Sequence, residues 1–377
     1  MIKIKTSTIK DIVNKISKGV ENDRNTRITE LLQIETIDNK IRLSVTNTQY
    51  YLVIDINSDS GVENFNVTID ASNFIKLVSK TTTENITLYT QDKNLVFGGN
   101  GKYIFPLELN ETGKQRLLPK IEITPTNTFK IKGDTLNAIY TFNGVELQKD
   151  IPVSSVQKYY YVDNLGAITF SESPYILNFS IDKEFKVLLT DRLAQLLTLF
   201  KSQNVEVGLS NSVSGGVYQN KIVFKSENIE LIAYTPDDTI VAKYPATSCR
   251  ALQENPYPGL VKINRVELAN ALDRLNIFNK SENVSFRKAG KLTFTDSGLE
   301  ITSLLNKNIE VVPYVEKVDF YSYSCYMNLE QLLRHTKAGN ESAINIHYGN
   351  ELCLMFKKDI YTQIVVELEE PDTGGLV

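Results

Sequence analysis

Residues 261–275, VKINRVELANALDRL, pass from a strand pattern into a helix pattern with no loop between them. Val261 and Ile263 alternate with polar neighbours, the period of a half-buried strand, and Asn264 is a side-chain acceptor suited to the free N–H groups of a helix that starts immediately afterwards. The same strand–cap–helix unit recurs along the chain. Residues 2–19, IKIKTSTIKDIVNKISKG, offer Thr6 or Ser7 as cap and Ile9, Ile12, Val13 and Ile16 as the apolar helix face. Residues 67–80, VTIDASNFIKLVSK, are capped by Asp70. Residues 129–144, FKIKGDTLNAIYTFNG, start a helix near Asp134 and stop it at Gly144, and residues 187–202, VLLTDRLAQLLTLFKS, use Thr190 as cap and turn Leu193, Leu196, Leu197 and Phe200 inward. The last unit, CYMNLEQLLRHTKAG at 325–339, runs from Asn328 to Gly339.

The alternate starts at Thr6, Asp134 and Asn264 lie 128 and 130 residues apart. A near-constant period predicts three similar domains of two halves each. Between the helices the chain alternates as strands: ELLQIETIDNKIRLSVTN turns at Asp38-Asn39, and ITLYTQDKNLVFGGNGKYIFPLEL turns at Asp92 and at Gly98 to Gly101. The connectors at 109–125 and 244–260, rich in Pro and polar residues, fall at the period's boundaries. The expected architecture is therefore α+β, with domains at 1–123, 124–252 and 253–377, each made of two strand–helix–antiparallel-strand halves.

With 377 residues, 42% hydrophobic and 23% charged, the chain has the composition of a soluble globular protein. No apolar run approaches the ~20 residues of a membrane span, and Met1-Ile2-Lys3-Ile4-Lys5 enters a strand directly, so an intracellular, cytoplasmic protein with no membrane contact is expected. Three widely spaced cysteines, Cys249, Cys325 and Cys353, suggest neither a disulfide framework nor a metal site. The net charge of −4 argues against tight electrostatic binding of DNA over the whole surface.

Groups for chemistry are scarce. His335 and His347 are the only histidines, and neither has a partner at a suggestive spacing. Gly98-Gly99-Asn100-Gly101-Lys102 lies between strands and opens no helix, so it reads as a hairpin turn rather than a phosphate loop. No cofactor, metal or enzyme activity is expected. Cations on the polar helix faces form the stronger signal: Lys10, Lys15 and Lys18; Lys76 and Lys80; Arg192 and Lys201; Arg265 and Arg274; Arg334 and Lys337. Any one of them can be a solvated surface residue, but the repeat would place equivalent faces on one common surface.

The ordered set of elements resembles the bacterial sliding clamp, the beta subunit of DNA polymerase III, over nearly the full length. TSTIKDIVNKISKGV followed by a basic loop and ELLQIET is similar to the family's first helix and strand; KINRVELANALDRL and KLTFTDSGLEI to the start of its third domain; and TQIVVEL to its last strand. The resemblance implies a head-to-tail homodimeric ring with helices inside and sheets outside, which encircles duplex DNA without regard to sequence and tethers a replicative polymerase. It implies a polymerase and a clamp loader as partners, docking through short peptides, and a divergent member encoded by a phage or plasmid. On that basis the helix cations line the central hole, and Arg24, Arg27, Lys158, Tyr159 and Tyr160 join them as DNA contacts. The peptide pocket maps to Ser171, Ser173, Tyr175, Ile176, Pro245, Met327, Ile364 and Val366. The subunit boundary maps to Phe105 and Leu107 against Ile277 and Phe278. Two segments depart from the family: Ser171-Glu172-Ser173-Pro174-Tyr175-Ile176 stands where Thr-Asp-Gly-His-Arg-Leu is usual, and Tyr244-Pro245-Ala246-Thr247 where Phe-Pro-Asp-Tyr is usual. Both bear on partner specificity. The rival reading is a β-rich phage structural or attachment protein, which would share the strand content without needing basic helix faces at a regular interval.

Overall fold

The computed structural model describes residues 1–369 except 22, 24, 38–39, 58–64, 142–154, 171–173, 215–216, 279–287, 305, 338–340, 351 and 359–360. All six halves appear in the expected order. The first is β1 (Ile2–Lys5), α1 (Thr6–Ser17), β2 (Leu31–Ile37), β3 (Lys40–Thr46) and β4 (Tyr50–Asn57); the second is β5 (Asn66–Asp70), α2 (Ala71–Lys80), β6 (Asn85–Gln91), β7 (Asn94–Gly98) and β8 (Lys102–Pro106). The third comprises β9 (Asn127–Lys132), α3 (Gly133–Thr141), β10 (Tyr159–Asp163), β11 (Gly166–Phe170) and β12 (Pro174–Asn178). The fourth comprises β13 (Lys186–Thr190), α4 (Asp191–Leu197), β14 (Asn204–Ser214), β15 (Val217–Lys225) and β16 (Ile229–Thr235). After α5 (Asp238–Val241) and α6 (Ala246–Glu254), the fifth runs through β17 (Gly259–Asn264), α7 (Arg265–Ile277), β18 (Ala289–Thr295), β19 (Gly298–Ser303), β20 (Ile309–Val312) and β21 (Tyr314–Asp319). The sixth is β22 (Tyr323–Asn328), α8 (Leu329–Lys337), β23 (Ala343–Tyr348), β24 (Cys353–Lys357) and β25 (Tyr361–Val366).

One pairing rule organises every sheet. The strand before a helix pairs with the first strand after the helix of the companion half, and only β17 among them also pairs within its own half, with β21. Thus β1 pairs with β6 and β5 with β2; β9 with β14 and β13 with β10; β17 with β23 and β22 with β18. The helix α1 contacts β1 of one sheet and β3 and β4 of another, and so must be apolar on a broad stripe. In α1 this stripe is Ile9, Ile12, Val13 and Ile16, in α2 Phe74 and Val78, and in α7 Leu268, Ala271, Leu272 and Leu275, all buried. Burial of each such aliphatic side chain contributes roughly 1.5–3 kcal/mol.

The chain divides into two compact units. One holds Met1–Asn137 and Arg192–Asp238, with a four-stranded sheet β1-β6-β7-β8 and an eight-stranded sheet β5-β2-β3-β4-β16-β15-β14-β9. The other holds Ala138–Asp191 and Thr239–Val377, with a nine-stranded sheet β13-β10-β11-β12-β25-β24-β23-β17-β21 and a four-stranded sheet β20-β19-β18-β22. The middle domain expected at 124–252 is divided between the units, where β16 pairs with β4 and β12 pairs with β25.

The expected caps hold at Asp70, which accepts from Asn73 N, at Asn264, which accepts from Val266 N and Glu267 N, and at Asn328, which accepts from Glu330 N and Gln331 N. At α1 the expectation is corrected. Thr6 and Ser7 lie inside the helix, the cap position is Lys5 without a side-chain bond, and the N–H of Thr6 instead donates to the carbonyl of Glu84 at 2.9 Å. The neighbouring chain thus satisfies the group a side-chain cap would have served. The stretch 244–260, expected to be a connector, begins with α6, which packs on β12 and β25.

Beside that sheet lies a buried polar cluster. Lys358 is 7% exposed, and its Nζ donates to Tyr361 Oη at 2.6 Å and to the carbonyl of His335 at 3.4 Å. Burial lowers the Lys358 pKa to about 8, with Glu341 opposing and Arg265 adding to the shift. His335, stacked on Tyr175 at 4.8 Å, is held down to about 3 by burial and by the charges of Arg334 and Lys358, so it is neutral at ordinary pH. An unfolded lysine keeps its proton to about pH 10.5. Between pH 8 and 10.5 the unfolded chain therefore binds more protons at this position, and the group's contribution to stability rises with pH; below pH 8 the full cost of the buried ammonium is present. Lys358→Met is expected to stabilise the protein at pH 7 by about 1–3 kcal/mol, an advantage that fades by pH 10.5. Denaturant unfolding at both pH values checks this, and an advantage independent of pH would assign the effect to packing rather than charge.

Candidate functional site

The helix cations fall into two classes. Lys18, Lys76 and Lys80 are exposed on α1 and α2 and Lys10 is half-buried; none of the four makes an ion pair among the described residues, while Lys15 is bound to Asp11 at 2.7 Å. On α7 and α8 the cations are engaged: Arg274 pairs with Glu310 through two 2.7 Å hydrogen bonds, Lys337 with Asp273 at 2.7 Å, and Arg265 Nε donates to the carbonyl of Glu341 at 2.7 Å. The Arg274 pair holds the Glu310 carboxyl below its ordinary range. Arg334 is exposed, as is Lys201, and Arg192 is half-buried against Glu21 at 3.1 Å and Gln195 at 2.7 Å.

The remaining expected DNA contacts are less available. Arg24 lies outside the described residues. Arg27 meets Glu30 at 2.8 Å, Asp70 at 3.1 Å and Glu108 at 3.5 Å, hydrogen bonds that raise its pKa further and leave it surrounded by carboxylates. Lys158 and Tyr159 are half-buried. Tyr160 is a correction: it is 1% exposed and its hydroxyl donates to Asp191 at 3.0 Å, within a strand that is buried from Tyr160 to Asp163.

Of the expected peptide-pocket residues, Tyr175, Ile176, Met327 and Ile364 are all buried; Ile176 and Ile364 belong to one apolar cluster and Met327 to another, which also holds residues of α7 and α8. Ser171 and Ser173 lie outside the described residues, Pro245 is half-buried, and Val366 is described only by its backbone, which pairs with Cys353. What closes the groove is the segment after β16. Val241, Tyr244, Ala246 and Cys249 pack onto Ile176, Ile364 and Met355; Tyr244 stacks on Tyr161 at 5.1 Å and donates its hydroxyl to the carbonyl of Ile168 at 3.0 Å. Arg250 clamps the cover with two 2.7 Å hydrogen bonds to Asp163, whose carboxylate also accepts from Leu165 N and Gly166 N. Charge-assisted bidentate pairs of this kind fix geometry strongly. The half-buried rim of this cluster is Val156, Tyr159, Ile240, Leu252 and Tyr257. The two runs of apolar and polar residues in 238–254 carry helical spacing, and this was the signal available for the cover.

At the expected subunit boundary the structure separates two roles. Phe105 is 8% exposed and meets Phe74 edge-on at 5.7 Å, so it is a core residue of its own sheet, and Leu107 is half-buried. The neighbour Ile104 instead is 61% exposed, on the unpaired edge strand β8. Ile277 and Phe278 are exposed as expected, and Ile309 and Val311 are exposed on β20, an unpaired edge of the other unit. No group of three or more metal-ligating side chains occurs among the described residues, and no helix there is long and apolar enough to cross a membrane.

No protein-family model and no curated protein matches the sequence. Solved structures do match. The beta subunit of the DNA polymerase of Streptococcus pyogenes superposes with a TM-score of 0.79 at 18% identity, over 98% of this chain and 99% of that one. The sliding clamp of Pseudomonas aeruginosa, DNA polymerase III subunit beta bound to griselimycin, superposes with a TM-score of 0.79 at 13% identity, over 98% and 99%. The Helicobacter pylori beta clamp bound to a DNA ligase peptide gives 0.74 at 13% identity, over 98% and 99%. Across almost its whole length, this chain has the fold of DNA polymerase III beta sliding clamps.

Proposed function

We propose that the protein is a DNA polymerase processivity factor that closes head to tail as a homodimer around duplex DNA, three repeats per copy, with its helices toward the duplex. The observation that carries this reading is the pair of unfinished sheet ends. In β4–β16 and β12–β25, the last strand of a repeat's first half pairs with the last strand of the next repeat's second half. In the sheet β22-β18-β19-β20, β20 stands where β4 stands in β5-β2-β3-β4, and β8 stands where β16 and β25 stand, yet among the described residues neither has such a partner. Joining β20 of one copy to β8 of another satisfies both edges, and a head-to-tail contact that closes after two copies does so twice. The apolar residues exposed at those edges, Ile104 on one and Ile309, Val311, Ile277 and Phe278 on the other, are then covered.

Such a protein acts topologically and needs neither a catalytic group nor a cofactor. A closed ring stays on duplex without tight binding, which suits an acidic chain whose exposed lysines give weak, screened contacts. Partners are the replicative polymerase and a clamp loader acting through short peptides in the cytoplasm. The apolar rim beside Pro245 formed by Tyr159, Ile240, Leu252 and Tyr257 supports docking at that surface, above the closed cluster rather than within it.

Three outcomes are expected. Protein loaded on nicked circular DNA should be retained and should be released when the circle is linearised; equal retention on both forms would refute encirclement. Ile104→Asp combined with Ile309→Asp should leave thermal stability nearly unchanged and shift sedimentation at micromolar concentration from dimer to monomer. An unshifted dimer would place the interface elsewhere. Ile240→Asp with Leu252→Asp should lower stimulation of the partner polymerase tenfold or more, since a few apolar anchors carry most peptide affinity, while circular DNA is still retained.

A further inference from the structure

The three pairs of helices are not electrically equivalent. With their cap residues, α1 and α2 carry six lysines, Lys5, Lys10, Lys15, Lys18, Lys76 and Lys80, against two carboxylates, Asp11, which takes up Lys15, and Asp70, which takes up Arg27. Helical spacing of about 100° per residue sets Lys76 opposite the buried Phe74 and Val78 and puts Lys80 on the same side, while Lys10 and Lys18 flank the solvent face opposite Ile9 and Ile16. α1 packs against α2, so these side chains belong to one surface. On α7 and α8, which also pack together, Glu267, Asp273 and Glu330 accompany the cations; Asp273 takes Lys337, Glu330 takes Lys288, and Glu310 takes Arg274. α3 carries no cation, and the one on α4, Arg192, is held by Glu21.

We infer that phosphate contact is concentrated on the α1–α2 face, where Lys10, Lys18, Lys76 and Lys80 bind the backbone of duplex DNA, and that the α7–α8 face, where Arg274 and Lys337 are held by Glu310 and Asp273, contributes less. The inference rests on the processivity-factor reading for its ligand and sharpens it. Duplex in the ring would be held against one face of each subunit rather than centred by equivalent contacts from every repeat. A cation already paired at 2.7 Å must give up its carboxylate before it can displace a counterion from DNA, so only unpaired lysines contribute to counterion release.

The test is anisotropy of a labelled random-sequence duplex titrated with the full-length protein at several salt concentrations. Replacing Lys10, Lys18, Lys76 and Lys80 with Gln should flatten the slope of log affinity against log salt by about 0.9 for each phosphate that is no longer neutralised. It should also weaken binding at low salt at least tenfold, with the melting temperature unchanged. Arg274→Gln with Lys337→Gln should bind within twofold of the parent. Equal losses in the two variants, parent-like binding by the first, or no salt-dependent binding by the parent would overturn the inference. Retention on nicked circular DNA, measured in parallel, separates the two claims. Loss of affinity in the α1–α2 variant of a protein not retained on circles refutes encirclement and upholds the lysine face. Parent-like affinity in that variant of a protein that is retained does the reverse.

Discussion

The structure depends on the exchange of one strand between the two halves of each repeat. Because β1 pairs with β6 and β5 with β2, and likewise in the other two repeats, neither half can complete its sheet alone. The helix that follows each exchanged strand begins without a loop, and its apolar stripe is buried, as at Ile9, Ile12, Val13 and Ile16 of α1. The same geometry leaves one strand at the end of each half free to pair outward. Two of these free strands in each direction are used within the chain, and the edges β8 and β20 remain. An exposed edge bearing Ile104, or Ile309 and Val311, is a template for another chain, and the proposed second copy rests on these two edges.

The join at β12–β25 shows how one architecture can be adapted. The groove beside it is filled by the chain itself, through Val241, Tyr244, Ala246 and Cys249, and Arg250 ties that cover to the β10–β11 hairpin through Asp163. Removing either partner of that ion pair would strand a largely buried charge, a cost of order 3–5 kcal/mol. In the proposed function peptide docking falls at the rim of this cover, and Tyr244 and Ala246, in a segment that departs from the clamp pattern, are part of the cover itself.

Much of the fold is legible in the sequence because its signal is local and repeated. Alternating strands running into Asp70, Asn264 and Asn328 specify strand, cap and helix without reference to distant contacts, and the period of 128 and 130 residues specifies the repeat. Which strands pair across halves is not legible, since the exchange depends on contacts between residues such as Ile4 and Ile86 that no spacing announces. The candidate site is legible in composition and not in exposure. Phe105 and Ile104 are adjacent and both apolar, and only the position of Phe74 decides which one faces inward. Tyr159 and Tyr160 differ in the same way. Lys10 and Arg274 look alike as helix cations, and the difference between them lies in Glu310, a strand residue brought near by the fold.

The central claim is that two copies close into a ring through the unpaired edges β8 and β20. A low-resolution envelope of the purified protein, from small-angle scattering or negative-stain microscopy at micromolar concentration, tests it most directly. The account predicts a particle of twice the chain mass with a central hole wide enough for duplex DNA. A particle of that mass without a hole, or an open assembly that grows with concentration, would contradict it.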